Sequence, residues 1–154
     1  MVTAALIMEA TMAVTISLYN HTAKLFADGS NAAGDTYKVK LYSAATFDAT
    51  DATLAGITGT EATAGTGYTA GGQALTGVAV TTVTTNDASF DADDVTWTAS
   101  GGSITASYGV IYNDTDADDP PLAFIDFDGE QSAGDGTEFK IVWNSAGIFT
   151  FTVS

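Results

Sequence analysis

The sequence has 154 residues, a length that fits one domain, 1–154, with a hydrophobic core of its own. Four lysines and no arginine stand against 19 acidic residues, which gives a formal net charge of −15. Such a chain repels phosphate backbones and anionic lipid surfaces, so we expect no nucleic acid and no membrane as a partner. Hydrophobic residues make up 45% of the chain, too many for a disordered acidic tail, so we expect a folded, soluble protein.

The N-terminal stretch 1–12 is mildly apolar but lacks the basic start and the long apolar run of a secretion signal. Met12 opens the stretch MAVTISLYN and offers a second translation start. We therefore expect that 1–12 is either untranslated or disordered.

The first regular elements are a short helix and a strand. Apolar side chains between Ser17 and Asp28 recur at helical spacing and are followed by Gly29, which predicts a short amphipathic helix. Val14, Ile16 and Leu18 alternate, so a strand competes for the start of that segment. The range Tyr37–Tyr42 alternates strictly between apolar residues and lysines, which predicts a half-buried strand.

The segment from Ser43 to Thr76 is rich in alanine, threonine and glycine and has few large apolar groups. It cannot form a core alone, so we predict an extended surface excursion, either mobile or ordered by a neighbour. Its glycine-rich part, Gly65–Gly77, reads GTGYTAGGQALTG. That part lacks the lysine and the glycine order of phosphate-binding loops, which argues against an anionic ligand.

The second half of the chain is a series of short segments rich in Val, Ile, Thr and aromatic residues, separated by turn residues. Along Ser103–Tyr112, the residues Ile104, Ala106, Tyr108, Val110 and Tyr112 mark one face of a strand. The predicted fold is mainly β: an antiparallel β-sandwich or jelly-roll-like body with one short N-terminal helix and a long glycine-rich excursion. The predicted strands of this half are Val78–Thr85, Asp94–Ser100, Ser103–Tyr112, Leu122–Phe127, Phe139–Trp143 and Ile148–Val153.

Two acidic groups are candidate cation ligands. Asp114, Asp116 and Asp118 alternate along one turn, as the oxygen ligands of calcium loops do, but the glycine and the bidentate glutamate of an EF-hand are missing. We interpret this turn as solvated, with Pro120 and Pro121 stopping strand pairing. The group Asp91, Asp93 and Asp94 has the same two interpretations. With no cysteine and a single histidine, zinc is disfavoured, and we expect no metal and no cofactor.

Few residues suggest catalysis. Asp126 lies inside an apolar strand and is either a buried acid with a shifted pKa or a carboxylate at a strand end or edge that is bound to water or a backbone amide. His21, the only histidine, has no partners that would form a triad. Trp97 and Trp143 could stack on sugars, but their apolar neighbours favour core packing. We expect that the chain is not an enzyme.

Four blocks of the sequence resemble small virion proteins of tailed bacteriophages. They are Tyr37–Tyr42, the glycine-rich loop Gly65–Gly77, the strand Asp94–Ala99 that contains a tryptophan, and the hairpin Gly109–Gly129. In those proteins the blocks occur in the same order. The resemblance covers most of the chain and implies a structural component of the particle, with no catalytic residues to carry over.

The resemblance implies a head decoration (cement) protein on the capsid surface, after assembly in the host cytoplasm. The expected partners are the major capsid protein and further copies of the chain, as a homotrimer at three-fold positions. A tail- or head-fibre-associated adhesion or carbohydrate-binding module is the alternative, and a small hydrolase is a third, less favoured class. The residues expected to bind the partner are Leu18, Leu25, Phe26, Gly65, Tyr68, Gly71, Gly72 and Leu75.

Overall fold

The computed structural model of the chain describes residues 3–4, 14–84 and 87–152, and most of its regular elements are antiparallel strands. Within those ranges there is one α-helix, α1 (Thr22–Ala27), and one turn of 3-10 helix (Leu54–Gly56). The strands are β1 (Thr3–Ala4), β2 (Val14–Leu18), β3 (Tyr37–Ala45), β4 (Gly59–Glu61), β5 (Gln73–Ala74), β6 (Ala79–Thr84), β7 (Asp87–Asp91), β8 (Val95–Thr98), β9 (Ile104–Asn113), β10 (Pro121–Ala133), β11 (Glu138–Ile141) and β12 (Phe149–Phe151).

The largest sheet contains seven strands in the order β1-β2-β10-β9-β3-β4, and β5 also pairs with β3. The predicted strand at Tyr37–Tyr42 is confirmed and extends to Ala45 as β3. The side chains of Tyr37, Val39 and Leu41 are fully buried, whereas Lys38 and Lys40 are half-buried on the other face. The period of two in the sequence therefore decides which face of β3 enters the core.

Two smaller sheets complete a sandwich-like arrangement, which confirms the predicted mainly β fold. One pairs β8 with β11, and the other has the order β12-β7-β6. The main core contains side chains from all three sheets, such as Ile125 of β10, Phe139 of β11 and Phe90 of β7. Apolar faces of antiparallel sheets are buried in this way against one another.

A second apolar cluster involves the alternate residues of the large sheet. Tyr42, Val110 and Phe124 lie next in sequence to core residues of β3, β9 and β10, so they point to the opposite face. Tyr19 and Ile57 complete this cluster. The excursion thus supplies Ile57 to cover part of a sheet face that would otherwise be exposed.

The predicted helix is shorter than its sequence pattern suggested. Helix α1 spans only Thr22–Ala27, and the preceding alternating residues form β2, the competing interpretation. Strand β2 pairs with β10, with Leu18 opposite Ala123, so tertiary pairing decides between the two local preferences. Among the described residues, no helix is both long and apolar enough to span a membrane.

Other predicted boundaries need correction. Strand β7 was not predicted, because DASFD holds one large apolar residue between two aspartates. Strand β10 begins at Pro121, opposite Tyr112, so this proline does not stop pairing; a proline is tolerated as the first residue of a strand. Thr85 and Val153, which end two predicted strands, lie outside the described residues. The expectation about 1–12 also falls outside them, apart from Thr3–Ala4.

The predicted single face of β9 is also wrong beyond Ala106. Ile104 and Ala106 belong to the main core, but Tyr108 and Val110 belong to the second cluster. The register with β10 shifts between Asp126 and Gln131, opposite this part of β9. An irregularity of this kind changes which face the following residues point to, so simple alternation fails there.

Candidate functional site

The glycine-rich segment Gly65–Gly77 is held on the large sheet by one buried side chain, Tyr68. The Tyr68 hydroxyl accepts a hydrogen bond from the Leu41 backbone N–H at 3.1 Å and donates one to Glu61 Oε1 at 2.9 Å. Its ring lies 6.3 Å from the Trp97 ring, centroid to centroid. Burial raises the pKa of Tyr68, so the hydroxyl stays protonated and can act as a donor.

Glu61 is the polar residue that holds this segment together with Tyr68, and we call these two residues the anchor. Its carboxylate accepts from the Gly71 N–H and from the Tyr68 hydroxyl, and it forms an ion pair of 2.9 Å with Lys40. Burial alone would raise its pKa, but the Gly71 N–H, the Lys40 ammonium and the Tyr68 hydroxyl together hold the pKa below its ordinary value. The Gly71 N–H of the loop is therefore already bonded to the Glu61 carboxylate, so it is not free to bind an external anion.

Further hydrogen bonds fix the C-terminal half of the segment. Strand β5 pairs with β3, with Ala74 opposite Lys38, and the Leu75 N–H donates to the Tyr37 carbonyl at 2.8 Å. The Tyr112 hydroxyl donates to the Gly71 carbonyl at 2.8 Å. The predicted excursion is therefore ordered by the chain's own sheet, and it covers part of the free edge of β3.

Close approach to the sheet explains one of the glycines. Gly72 has φ of +88°, and a Cβ there would lie 1.9 Å from the Val39 carbonyl oxygen. No other residue type fits both this backbone conformation and this contact. Glycine is required at this position because the loop packs directly on the backbone of β3.

The expected partner-binding residues of this segment divide into two groups. The side chains of Tyr68 and Leu75 are buried in the chain's own core, where they are not available to a partner. Gly65 is exposed, and Gly71 and Gly72 are half-buried. Contacts of a partner with these three glycines remain a prediction.

The three expected partner-binding residues near the N-terminus, Leu18, Leu25 and Phe26, are half-buried. Leu18 and Phe26 pack against the main core, and the Phe26 ring lies 5.6 Å from Phe90 and 5.4 Å from Phe151. Part of each of these side chains is therefore buried within the chain's own fold.

The candidate cation ligands form local contacts. Asp114 pairs with Lys38 at 2.8 Å, and Asp116 Oδ1 accepts from the Asp118 N–H at 3.0 Å. In the second group, Asp93 accepts from the Thr76 hydroxyl, and Asp94 from the Trp143 N–H. Among the described residues, no three His, Cys, Asp or Glu side chains are grouped so that they could hold a metal ion.

The other candidate residues have structural contacts. Asp126 is half-buried in the interior of β10, so it is not at a strand end, but its carboxylate accepts the Asp128 N–H at 2.9 Å, which is the expected bond to a backbone amide. His21 Nε2 lies 2.8 Å from the Pro121 carbonyl oxygen. Trp97 and Trp143 are 4% and 6% exposed, so core packing is confirmed and their faces are not free to stack on sugars.

The positive charges are all neutralised locally. Each of the four lysines forms an ion pair: Lys24 with Asp28, Lys38 with Asp114, Lys40 with Glu61 and Lys140 with Asp94. The 19 acidic residues of the chain leave an excess of 15 negative charges over these lysines. The net charge of the chain is therefore strongly negative.

Sequence analysis missed Glu61 as the residue that fastens the loop. It is the only glutamate between Ser43 and Thr76, in a stretch otherwise dominated by small residues. After Asp51, Glu61 is the only charged residue up to Thr76, and this is the signal that could have found it, because a loop rich in backbone N–H groups needs an acceptor.

Comparison of the chain with protein-family models, with curated proteins and with solved structures finds no match.

Proposed function

We propose that the chain is a structural virion protein of a tailed bacteriophage that binds the outside of the head shell and stabilises it. One observation supports this most. The four blocks that resemble such virion proteins are in mutual contact: β3 pairs with β9, the Tyr68 hydroxyl of the loop bonds to the Leu41 N–H, and the Tyr68 ring lies beside the Trp97 ring. The resemblance therefore falls on a single packed unit.

Preorganisation of the glycine-rich segment supports a docking role. Thr69 and Ala70 are exposed, while the neighbouring Tyr68 is buried and Gly71 is bonded to Glu61 and Tyr112. A loop that is already ordered loses little conformational entropy when it binds. Such a loop can add affinity at each of many identical shell positions.

The negative net charge of the chain favours a partner that carries basic side chains. The lysines of the chain are already paired, and a net charge of −15 makes free copies repel one another. Docking on the major capsid protein would then depend on basic groups of that partner, and it would weaken as salt screens them. We propose a homotrimer at three-fold or quasi-three-fold positions, where several weak contacts act together.

Copy number and position on a purified particle test the proposal. Reconstruction of the particle should show hundreds of copies on the head, as trimers where three capsid subunits meet. A particle without the protein should assemble but lose its genome at a lower temperature. Density on the tail alone would favour the adhesion alternative, and isolated monomers would refute the trimer.

A pair of exposed alanines provides a matched test of the docking loop. Ala70→Lys adds a positive charge to the glycine-rich segment, and Ala55→Lys adds the same charge to the 3-10 turn. In add-back to particles that lack the protein, Ala70→Lys should lower occupancy about tenfold, because the new charge faces basic groups of the partner. Ala55→Lys should leave occupancy unchanged, and equal occupancy of both variants would exclude this loop as the docking surface.

A further inference from the structure

A groove of about 480 Å³ lies between helix α1 and the small sheet β12-β7-β6. Ala23 and Ala27 line it on the helix, and Val80, Ala88 and Phe151 line it on the sheet. Its volume is in the range of sites that bind ligands, and the groove carries no charged lining residue. The groove therefore suits an uncharged, apolar group.

The groove extends along one face of the small sheet to β6, the strand at its edge. In the described part of the chain, β6 pairs with β7 on one side, and no strand pairs with its other side. The sequence of β6, AVTTVT, has no charge and no proline, although exposed edges in natural proteins usually carry such protection. The side chain of Val80 is 40% exposed, and the pairing is regular from Ala79 to Thr82.

A buried polar group at the groove lacks a partner. Asn31 lines the groove and is only 4% exposed. Its Oδ1 accepts from Asn113 Nδ2 at 2.8 Å, which fixes the orientation of the amide, and its Nδ2 is buried without a hydrogen-bond partner. Buried donors without an acceptor are rare in folded proteins, so this N–H group points to an acceptor that a ligand would supply.

We propose that an extended segment of another protein adds to the free edge of β6 and places apolar side chains in the groove. One of its main-chain carbonyls would accept from Asn31 Nδ2. In this binding mode, β-strand addition, hydrogen bonds of the main chain give affinity and a pocket for the side chains gives specificity. The inference goes beyond the proposed function and does not depend on docking to a shell.

Charge selects the kind of segment. A second copy of this chain brings a further net charge of −15, which opposes pairing of two β6 edges. A neutral or basic segment with small apolar residues at every second position meets no such opposition. It also matches the alternation of a strand, in which one set of side chains faces the groove.

A synthetic strand peptide tests the proposal. The probe has nine residues, with valine and threonine alternating and a lysine at each end, and its backbone is N-methylated along one edge so that it cannot stack on itself. In NMR titration of the free protein, we expect shifts that are confined to Ala79–Thr82, Asn31 and the groove residues of α1.

Three variants sharpen the titration. Val80→Lys places a charge beside the free edge on an exposed side chain and should weaken binding at least about tenfold. Asn31→Asp removes the donor and should weaken binding about fivefold. Thr60→Lys adds the same charge to the exposed edge strand β4 and should change binding less than about twofold. If the Asn31→Asp variant does not fold, the comparison of Val80→Lys with Thr60→Lys still tests whether the peptide binds at the β6 edge.

Several results would overturn the proposal. These are the absence of shifts at millimolar probe, shifts at β4 or β12 in place of β6, or equal binding by Val80→Lys and Thr60→Lys. Sedimentation that shows dimers broken by Val80→Lys would assign the edge to a second copy. Binding of decanoate in the groove without binding of the peptide would assign it to a small apolar ligand.

Discussion

The β9–β10 hairpin and the excursion from Ser43 to Thr76 are stabilised in different ways. Most side chains of the hairpin at Val110–Tyr112 and Leu122–Ile125 are buried, and the strands pair along much of their length. The excursion has only four buried apolar side chains, Ile57, Ala62, Tyr68 and Leu75. Its order depends on a few specific hydrogen bonds at Tyr68 and Glu61.

This difference shows that a chain segment poor in apolar residues can be ordered without a core of its own. Apolar burial stabilises the hairpin in proportion to its area, so many positions share the effect. In the excursion, each anchor satisfies several backbone groups, so single substitutions should have local and uneven effects.

The largest effect is expected in the core of the hairpin. Phe127→Ala removes a fully buried ring beside Phe139 and should lower the free energy of unfolding by about 4 kcal/mol. Urea unfolding measures this loss. Phe47→Ala, at a side chain that is 36% exposed, is the control and should cost clearly less. Equal losses would contradict the assignment of the core.

Gly72→Ala tests the close approach of the loop to β3. The positive φ and the contact with the Val39 carbonyl should together lower the free energy of unfolding by about 3 kcal/mol. Gly65→Ala is the matched control, because Gly65 has φ of +96° but open space around it, and about 1 kcal/mol is expected. If both variants lose the same amount, backbone strain alone accounts for Gly72.

Tyr68→Phe tests the anchor itself. The ring is retained, but the Leu41 N–H loses its acceptor and Glu61 loses a donor, so the free energy of unfolding should fall by about 2 kcal/mol. Hydrogen exchange should accelerate first at Gly71 and its neighbours. Tyr108→Phe, at a half-buried tyrosine of β9, should leave that exchange unchanged.

Glu61→Gln tests the charge at the anchor and should cost about 1 kcal/mol at pH 7. Because the folded pKa of Glu61 lies below its ordinary value of 4.5, its contribution is present above pH 4.5 and is lost as the pH falls through the folded pKa. Urea unfolding of both proteins from pH 7 to pH 3 should therefore converge at the acid end. Glu130→Gln, at an exposed glutamate, is the control and should cost less at pH 7.

The smallest effect is expected at the acidic turn. Asp116→Asn keeps the side-chain oxygen that accepts the Asp118 N–H, so stability should change by no more than about 0.5 kcal/mol. Calcium at millimolar concentration should leave the melting temperature of the unmodified protein unchanged. A rise of many degrees that Asp116→Asn abolishes would establish a cation site here, because a ligand of the native state must stabilise it.

Local periodicity determined much of the fold in advance. Alternation predicted β3, β8 and β9 and the burial of Trp97, because side-chain direction in a strand follows from the backbone alone. Composition likewise predicted a folded, acidic chain, and the series of short segments rich in Val, Ile, Thr and aromatic residues predicted a mainly β fold. Site prediction was less complete, since the loop Gly65–Gly77 was identified without Glu61, the residue that fastens it.

Tertiary structure decided what depends on partners far apart in the sequence. The strand at Val14–Leu18 prevailed over a helix because β10 offers it a ladder of backbone hydrogen bonds. The change of face in β9 arises opposite an irregular stretch of β10, and the free edge of β6 exists because no other described strand reaches it. The sequence by itself determined which residues avoid water, whereas only the folded sheets decided which backbone groups and which edges remain available.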